Sequence, residues 1–282
     1  MNLFRLFSIL TALLCTQVAS AEKSSPQIIA DIVYQKGQAS AYAAERCKLD
    51  LYLPAVQKDF PTLVWLHGGG LTSGSKDSEK QVALARHFAE EGVAVAMVNY
   101  RLSPKATYPA YIEDSSAAFA WVKKNIQEHG GDAGRVFLGG HSAGAYLALM
   151  VSLDAHYLEA QGLTPDAICG LIPISGQTLT HYTVRIERGQ PKERLMADEA
   201  SPLFHVCKEA PPMLILYADK DMEMRVEENA LLASALRAAG HEKTTTSMIK
   251  GRTHSSVAHD MANAGDVGFA EVMGFIQAVK AE

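Results

Sequence analysis

The chain has 282 residues, 48% hydrophobic and 20% charged, with a formal net charge of −5. That length and apolar content suit one globular domain with a substantial core. The acidic balance and the lack of any basic run argue against nucleic acid as a partner, and beyond the N-terminus no apolar run approaches the ~20 residues needed to span a bilayer.

The first segment reads as an export signal. Arg5 gives a positive start, residues 6–15 are an apolar run, and Ala19-Ser20-Ala21 is a small-residue cleavage site. This predicts a secretory signal peptide over 1–21, cut after Ala21, a periplasmic or secreted protein, and no stable membrane insertion after cleavage. Cys15 does not make a lipoprotein site, because Leu14 before it is too bulky. The remaining cysteines are Cys47, Cys169 and Cys207. An odd number permits at most one internal bridge. Cys169, opening an apolar run, reads as a buried thiol, and a Cys169–Cys207 disulfide stays open. None has metal-ligand spacing.

Strand-like stretches at 28–34 and 49–53 come next. Short apolar runs at 62–66, 93–98, 135–139, 168–175, 213–217 and 244–249 then alternate with helical patterns at 77–90, 111–129, 143–153, 226–239 and 267–279. That rhythm predicts an α/β fold with a mostly parallel central sheet and helices on both faces. One stretch, 176–211, breaks it, with mixed composition, several charges and no clear strand.

Two glycine-rich motifs sit where strands end. Residues 140–144 read GHSAG, between the 135–139 strand and the 143–153 helix. In such a nucleophile elbow the chain turns sharply and holds Ser142 in a strained conformation. Gly140 and Gly144 remove the Cβ atoms that would collide. The helix N-terminus directs amides to where negative charge develops. Residues 67–70 read HGGG after the 62–66 strand. Here Gly69 and Gly70 are the candidate oxyanion-hole donors, with the amide of Ala143 as the third, and His67 reads as a brace for the loop.

A serine hydroxyl needs a base, and the base needs an acid to fix its tautomer. In chain order the acid follows the nucleophile and the histidine comes last. After the 213–217 strand stand Asp219 and Asp221, in YADKDMEM. After the last strand comes His254, in GRTH, with His259 as the alternative. His241 lies before that strand, at its other end, and is excluded. His141, inside the elbow, is expected to pack against the sheet.

These motifs, with Asn99-Tyr100-Arg101-Leu102-Ser103-Pro104, Tyr108-Pro109-Ala110, Asp114 and Gly131-Asp132, resemble the carboxylesterase group of α/β-hydrolases. That group includes hormone-sensitive-lipase-like and feruloyl-esterase-like enzymes and kynurenine formamidases. The resemblance covers roughly residues 48–280. It implies an α/β-hydrolase catalytic domain over 22–282, with 176–211 as a short cap in which His181, Tyr182 and Arg185 either line the pocket or pack within the cap. It implies that Asp221 is the acid while Asp219 braces the turn, and that His254 is the base. It implies a serine ester hydrolase working through an acyl-enzyme on small esters, with no metal or organic cofactor. A short cap offers little apolar wall, so short acyl groups are expected. An arylformamidase-like amide hydrolase with the same triad and a non-catalytic ligand-binding protein are the other readings. Leu71 departs from the pattern, since many relatives carry an aromatic residue there.

Overall fold

The computed structural model describes residues 25–35, 40–55 and 58–279. The expected signal peptide, 1–21, lies outside the described residues. No helix among them is long and apolar enough to cross a membrane.

The strands are β1 (Gln27–Val33), β2 (Lys48–Leu53), β3 (Phe60–Leu66), β4 (Ala94–Val98), β5 (Gly131–His141), β6 (Gly170–Ile174), β7 (Met213–Lys220) and β8 (Thr244–Thr253). They form one sheet in the order β1-β2-β4-β3-β5-β6-β7-β8. β1 and β2, and β2 and β4, pair antiparallel. Every other pair is parallel.

The helices are α1 (Ala41–Arg46), α2 (Glu79–Glu90), α3 (Ala110–Asn125), α4 (Ala143–Leu153), α5 (His156–Glu159), α6 (Tyr182–Glu187), α7 (Arg225–Ala238), α8 (Ser256–His259) and α9 (Val267–Ala278). Side chains alternate across β3. Val64 and Leu66 join one buried cluster with Ile112 and Phe119 of α3 and Tyr146 and Leu147 of α4. Leu63 and Trp65 join a second with Leu84 and Phe88 of α2 and Val272 and Ile276 of α9. The central strands are thus buried on both faces, which is why they read as continuous apolar runs. All eleven residues of α4 are buried, so its sequence is apolar all round rather than on one stripe.

The structure departs from the sequence expectation in several places: α5 and α8 were not foreseen, and β5 and β8 run longer than expected. α1 was not foreseen either. Its signal was short: Ser40 caps it by accepting the Ala43 amide at 3.1 Å. The 111–129 helix changes to a 3-10 turn at Ile126–His129 and stops at Gly130, whose φ is 89°. The 176–211 stretch contains α6 and a 3-10 turn at Pro202–His205.

The cap is tied down along its length. Thr180 N donates to Met196 O at 2.9 Å and Leu203 N to Thr178 O at 3.0 Å. Glu187 accepts from the Tyr108 amide at 2.9 Å and from the Tyr111 hydroxyl at 3.2 Å. The cysteines are free: Cys47 and Cys169 are buried and Cys207 is partly so, with no Cys169–Cys207 bridge. Burial pushes the Cys47 thiol up to about 12, leaving it unreactive.

The NYRLSP segment owes its shape to buried polar bonds. Asp114 on α3 accepts from the Arg101 amide at 2.9 Å, Nε at 2.8 Å and Nη2 at 2.7 Å. Asn99 Oδ1 accepts the Lys76 amide at 2.7 Å. The fork holds the loop after β4 against α3, and the Asn99–Lys76 bond holds it against the loop after β3.

Candidate active site

Ser142 sits between β5 and α4 with φ 57° and ψ −116°. A serine held there is strained, and such strain persists only where surrounding structure over-determines it. Two close approaches impose it. A Cβ on Gly144 would lie 1.9 Å from Leu66 O, and one on Gly140 would lie 2.6 Å from the Gly144 carbonyl carbon. Both obstacles are backbone, which cannot swing aside. We therefore expect Gly144→Ala to destabilise the fold by about 3 kcal/mol or more, read as a lowered urea midpoint. A midpoint within error of the parent would mean that the elbow is far more compliant than this packing allows.

Ser142, His254 and Asp221 form a continuous chain of hydrogen bonds. Ser142 Oγ donates to His254 Nε2 at 2.8 Å. His254 Nδ1 donates to Asp221 Oδ1 at 2.5 Å. The Asp221 carboxylate is fully buried. Burial pushes its pKa up, but hydrogen bonds from His254 and Ser175 outweigh it and hold the group below the usual carboxylate range. Ser175 Oγ and the Ala218 amide donate to Oδ2, and the Met222 amide donates to Oδ1 at 2.7 Å. Ser175, just past β6, carried no signal in the sequence. It meets Asp221 only because β6 and β7 are neighbours in the sheet.

Asp219, near the end of β7, carries no bond to His254 and accepts the Arg252 amide at 3.0 Å, pinning the end of β7 to the end of β8. His259 carries no bond to Ser142; its ring meets that of His141 edge-on at 5.8 Å. His241 lies at the far end of β8 and bonds to Lys208 O at 3.2 Å. His141 differs from expectation. Rather than only packing on the sheet, its Nε2 donates to the carbonyl of His254 at 2.6 Å, and the two rings lie 4.8 Å apart. The elbow thus braces the loop that carries the candidate base.

The HGGG turn lies beside Ser142. No backbone bond among the described residues uses the amides of Gly69, Gly70 or Ala143 as donors. Gly69 has φ 120° and Gly70 φ 63°. The glycine packed directly on Ser142 is Gly68, where a Cβ would lie 3.3 Å from that of Ser142. The sequence did not single it out. Over Gly70 lies the cap: a Cβ there would fall 1.9 Å from the Tyr182 hydroxyl, and Thr183 Oγ1 donates to Gly70 O at 2.5 Å. Leu71 is fully buried in the core.

His67 is a brace. Nδ1 donates to Gly68 O at 2.7 Å, the ring stacks on Tyr100 at 4.4 Å, and Arg46 of α1 reaches Nε2 at 3.3 Å. Burial pushes its pKa down to about 4, and that of His141 down to about 3. In the cap, burial and the nearby charges of Arg225 and Arg185 hold His181 well below its ordinary value. These three are neutral in the folded protein at pH 7. A depressed histidine takes up its proton first in the unfolded chain. Its contribution is therefore complete above the ordinary pKa of 6.5 and is lost as pH falls towards the folded values. The slope is about 1.4 kcal/mol per pH unit for each histidine. The urea midpoint should drop clearly from about pH 7.5 to about pH 5; an unchanged midpoint would contradict these buried, neutral rings.

Among the described residues no group of three or more His, Cys, Asp and Glu is placed to hold a metal ion.

Comparison with known proteins agrees with this architecture. Residues 49–166 match the family model BD-FAE. The chain is 30% identical to "Esterase LipQ" of Mycobacterium tuberculosis over 198 residues, 64% of this chain and 46% of that protein. It is 26% identical to "Esterase LipC" of the same organism over 231 residues, 76% of this chain and 57% of that one. The chain thus spans about half the length of these curated relatives. Among solved structures, a truncated carbohydrate esterase from gut microbiota superposes with a TM-score of 0.73 at 18% identity, covering 91% of this chain and 97% of that one. The chain thus has the α/β-hydrolase fold and is similar in sequence to known esterases.

Proposed function

We propose that the protein hydrolyses carboxylic esters through a covalent acyl-enzyme on Ser142. The observation that carries this reading is the buried hydrogen-bonded chain of Ser142, His254 and Asp221, at 2.8 and 2.5 Å. His254 Nε2 takes the Ser142 proton as Oγ attacks the ester carbonyl. Asp221 fixes the tautomer and stabilises the imidazolium that forms. Free amides at the 68–70 turn, with Gly69 and Gly70 as the assigned donors, and at Ala143 receive the oxyanion, each such donor contributing roughly 3 kcal/mol to the transition state. The alkoxide leaves with the proton from His254. Water then repeats the sequence on the acyl-enzyme, with His254 as base.

The cap, bonded down over Gly70, supports a preference for short acyl groups. Each buried methylene contributes only about 0.8 kcal/mol, and only where an apolar wall exists to receive it. A series of p-nitrophenyl esters of rising acyl length tests this: kcat/KM should peak in the acetyl-to-butyryl range. A continued rise to long chains would overturn the short-acyl reading. N-formylkynurenine belongs in the same panel; turnover of it in preference to every ester would make the protein a formamidase.

We also propose export, resting on Arg5, the apolar 6–15 run and Ala19-Ser20-Ala21. Intact mass of the protein from its native host should match a chain beginning at Glu22; a full-length cytoplasmic product would refute it.

A further inference from the structure

Beneath α6, beside the candidate triad, the side chains of His181, Arg185, Arg225 and Glu228 are all buried, with Arg185 3% and Arg225 5% exposed. Both guanidinium groups lie near the Glu228 carboxylate, with the exposed Glu193 as a second acidic neighbour of Arg185, and Glu228 is largely committed elsewhere. Glu228 Oε2 accepts the Thr178 amide at 2.7 Å and the Leu179 amide at 3.4 Å, and reaches Arg225 Nη1 only at 3.4 Å. Arg185 donates from Nη1 to the Arg194 carbonyl. The Nε of each arginine is buried with no partner. His181, held neutral, supplies no counter-charge.

The cluster lies near the reaction centre. Arg225 lies within electrostatic reach of Asp221 and Tyr182, and the Tyr182 hydroxyl rests over Gly70 of the glycine turn. Asp221 cannot serve as the missing acceptor, because both its oxygens are taken by His254, Ser175, Ala218 N and Met222 N. Burying a guanidinium without its acceptors is costly, and removing the partner of a buried charge costs several kcal/mol in typical proteins. Arginine is also the side chain whose planar fork matches a carboxylate. Two under-satisfied forks at the edge of an ester-cleaving centre have the chemistry of an anion subsite.

We propose that Arg225 and Arg185, with Tyr182 at their margin, form a subsite for a carboxylate on the substrate, so that the preferred esters carry a second, ionised carboxyl group close to the scissile bond. This rests on the ester-hydrolase reading and narrows its substrate class. The carboxylate can belong to the acyl part, as in a monoester of a short dicarboxylic acid, or to the alcohol part, as in an acylated hydroxy acid.

The test compares p-nitrophenyl monoglutarate with p-nitrophenyl butyrate, and butyryl glycolate with ethyl butyrate, on the full protein. Whichever pair places the carboxylate correctly should show kcat/KM about tenfold or more higher for the anionic ester, a margin that shrinks as salt is raised. In Arg225→Gln and Arg185→Gln the ratio of anionic to neutral kcat/KM should fall about tenfold, through KM, while Arg225→Lys keeps part of it. Glutarate should bind the wild-type protein by calorimetry more tightly than butyrate, a readout that needs neither turnover nor a folded variant. Equal losses on both esters in the glutamine variants, or neutral esters favoured in both pairs, or no advantage of glutarate over butyrate in binding, would each overturn the subsite. Failure of the ester-hydrolase reading looks different: no ester turned over and no fluorophosphonate labelling of Ser142, whatever glutarate does.

Discussion

Ser142→Ala should abolish labelling by a fluorophosphonate probe and lower ester turnover by ~10⁶ in kcat, the typical cost of removing a triad nucleophile. The size of the effect follows from how the residue is held. Its hydroxyl is already bonded to His254 at 2.8 Å, its backbone is fixed at φ 57°, and its amide donates to Ile174 O at 2.9 Å. The other serine of this network, Ser175, donates to Asp221 rather than to His254. The substitution removes one oxygen without adding atoms, so thermal stability should stay near that of the parent. Near-normal turnover in a folded Ser142→Ala protein would remove the basis of the proposed mechanism.

Asp221→Asn should cost on the order of 10⁴ in kcat. The carboxylate is fully buried and accepts from His254 Nδ1 at 2.5 Å. An amide in its place can present an N–H to the imidazole and impose the wrong tautomer, leaving Nε2 protonated and unable to accept from Ser142. Asp219→Asn is the matched control, because Asp219 accepts the Arg252 amide at 3.0 Å and carries no bond to His254. Its effect should appear mainly as a lowered unfolding midpoint. A larger kcat loss for Asp219→Asn than for Asp221→Asn would exchange the two assignments.

These contrasts show what kind of information the sequence holds about such a site. The elbow is legible because its motif is local. Gly140 and Gly144 stand two residues either side of Ser142; a Cβ on Gly140 would meet the Gly144 backbone within the turn itself, although a Cβ on Gly144 would meet Leu66 O of the neighbouring strand β3. The parallel strands are legible because burial on both faces demands continuous apolar runs, and α4 because a helix buried all round has no polar stripe to interrupt it. The choice between Asp219 and Asp221 had no local answer. Both are carboxylates two residues apart, and the residues alone left them level; family resemblance favoured Asp221.

The partners came from pairing across the sheet. β6 next to β7 delivers Ser175 to Asp221, and β5 in the middle sets His141 under the carbonyl of His254, 113 residues away in sequence. α1 puts Arg46 on His67, although six residues carry too little periodicity to announce a helix. The Arg185, Arg225 and Glu228 cluster is likewise a product of packing: of the three, only Arg185 stood out in the sequence, as a residue of the cap that either lines the pocket or packs within it. Sequence determined the elements, the glycine turns and Ser142 as the candidate nucleophile, because those depend on neighbours along the chain. Tertiary structure decided which acid meets the histidine, what braces it and which charges are buried, because those depend on hydrogen-bond partners supplied by strands and loops distant in the chain.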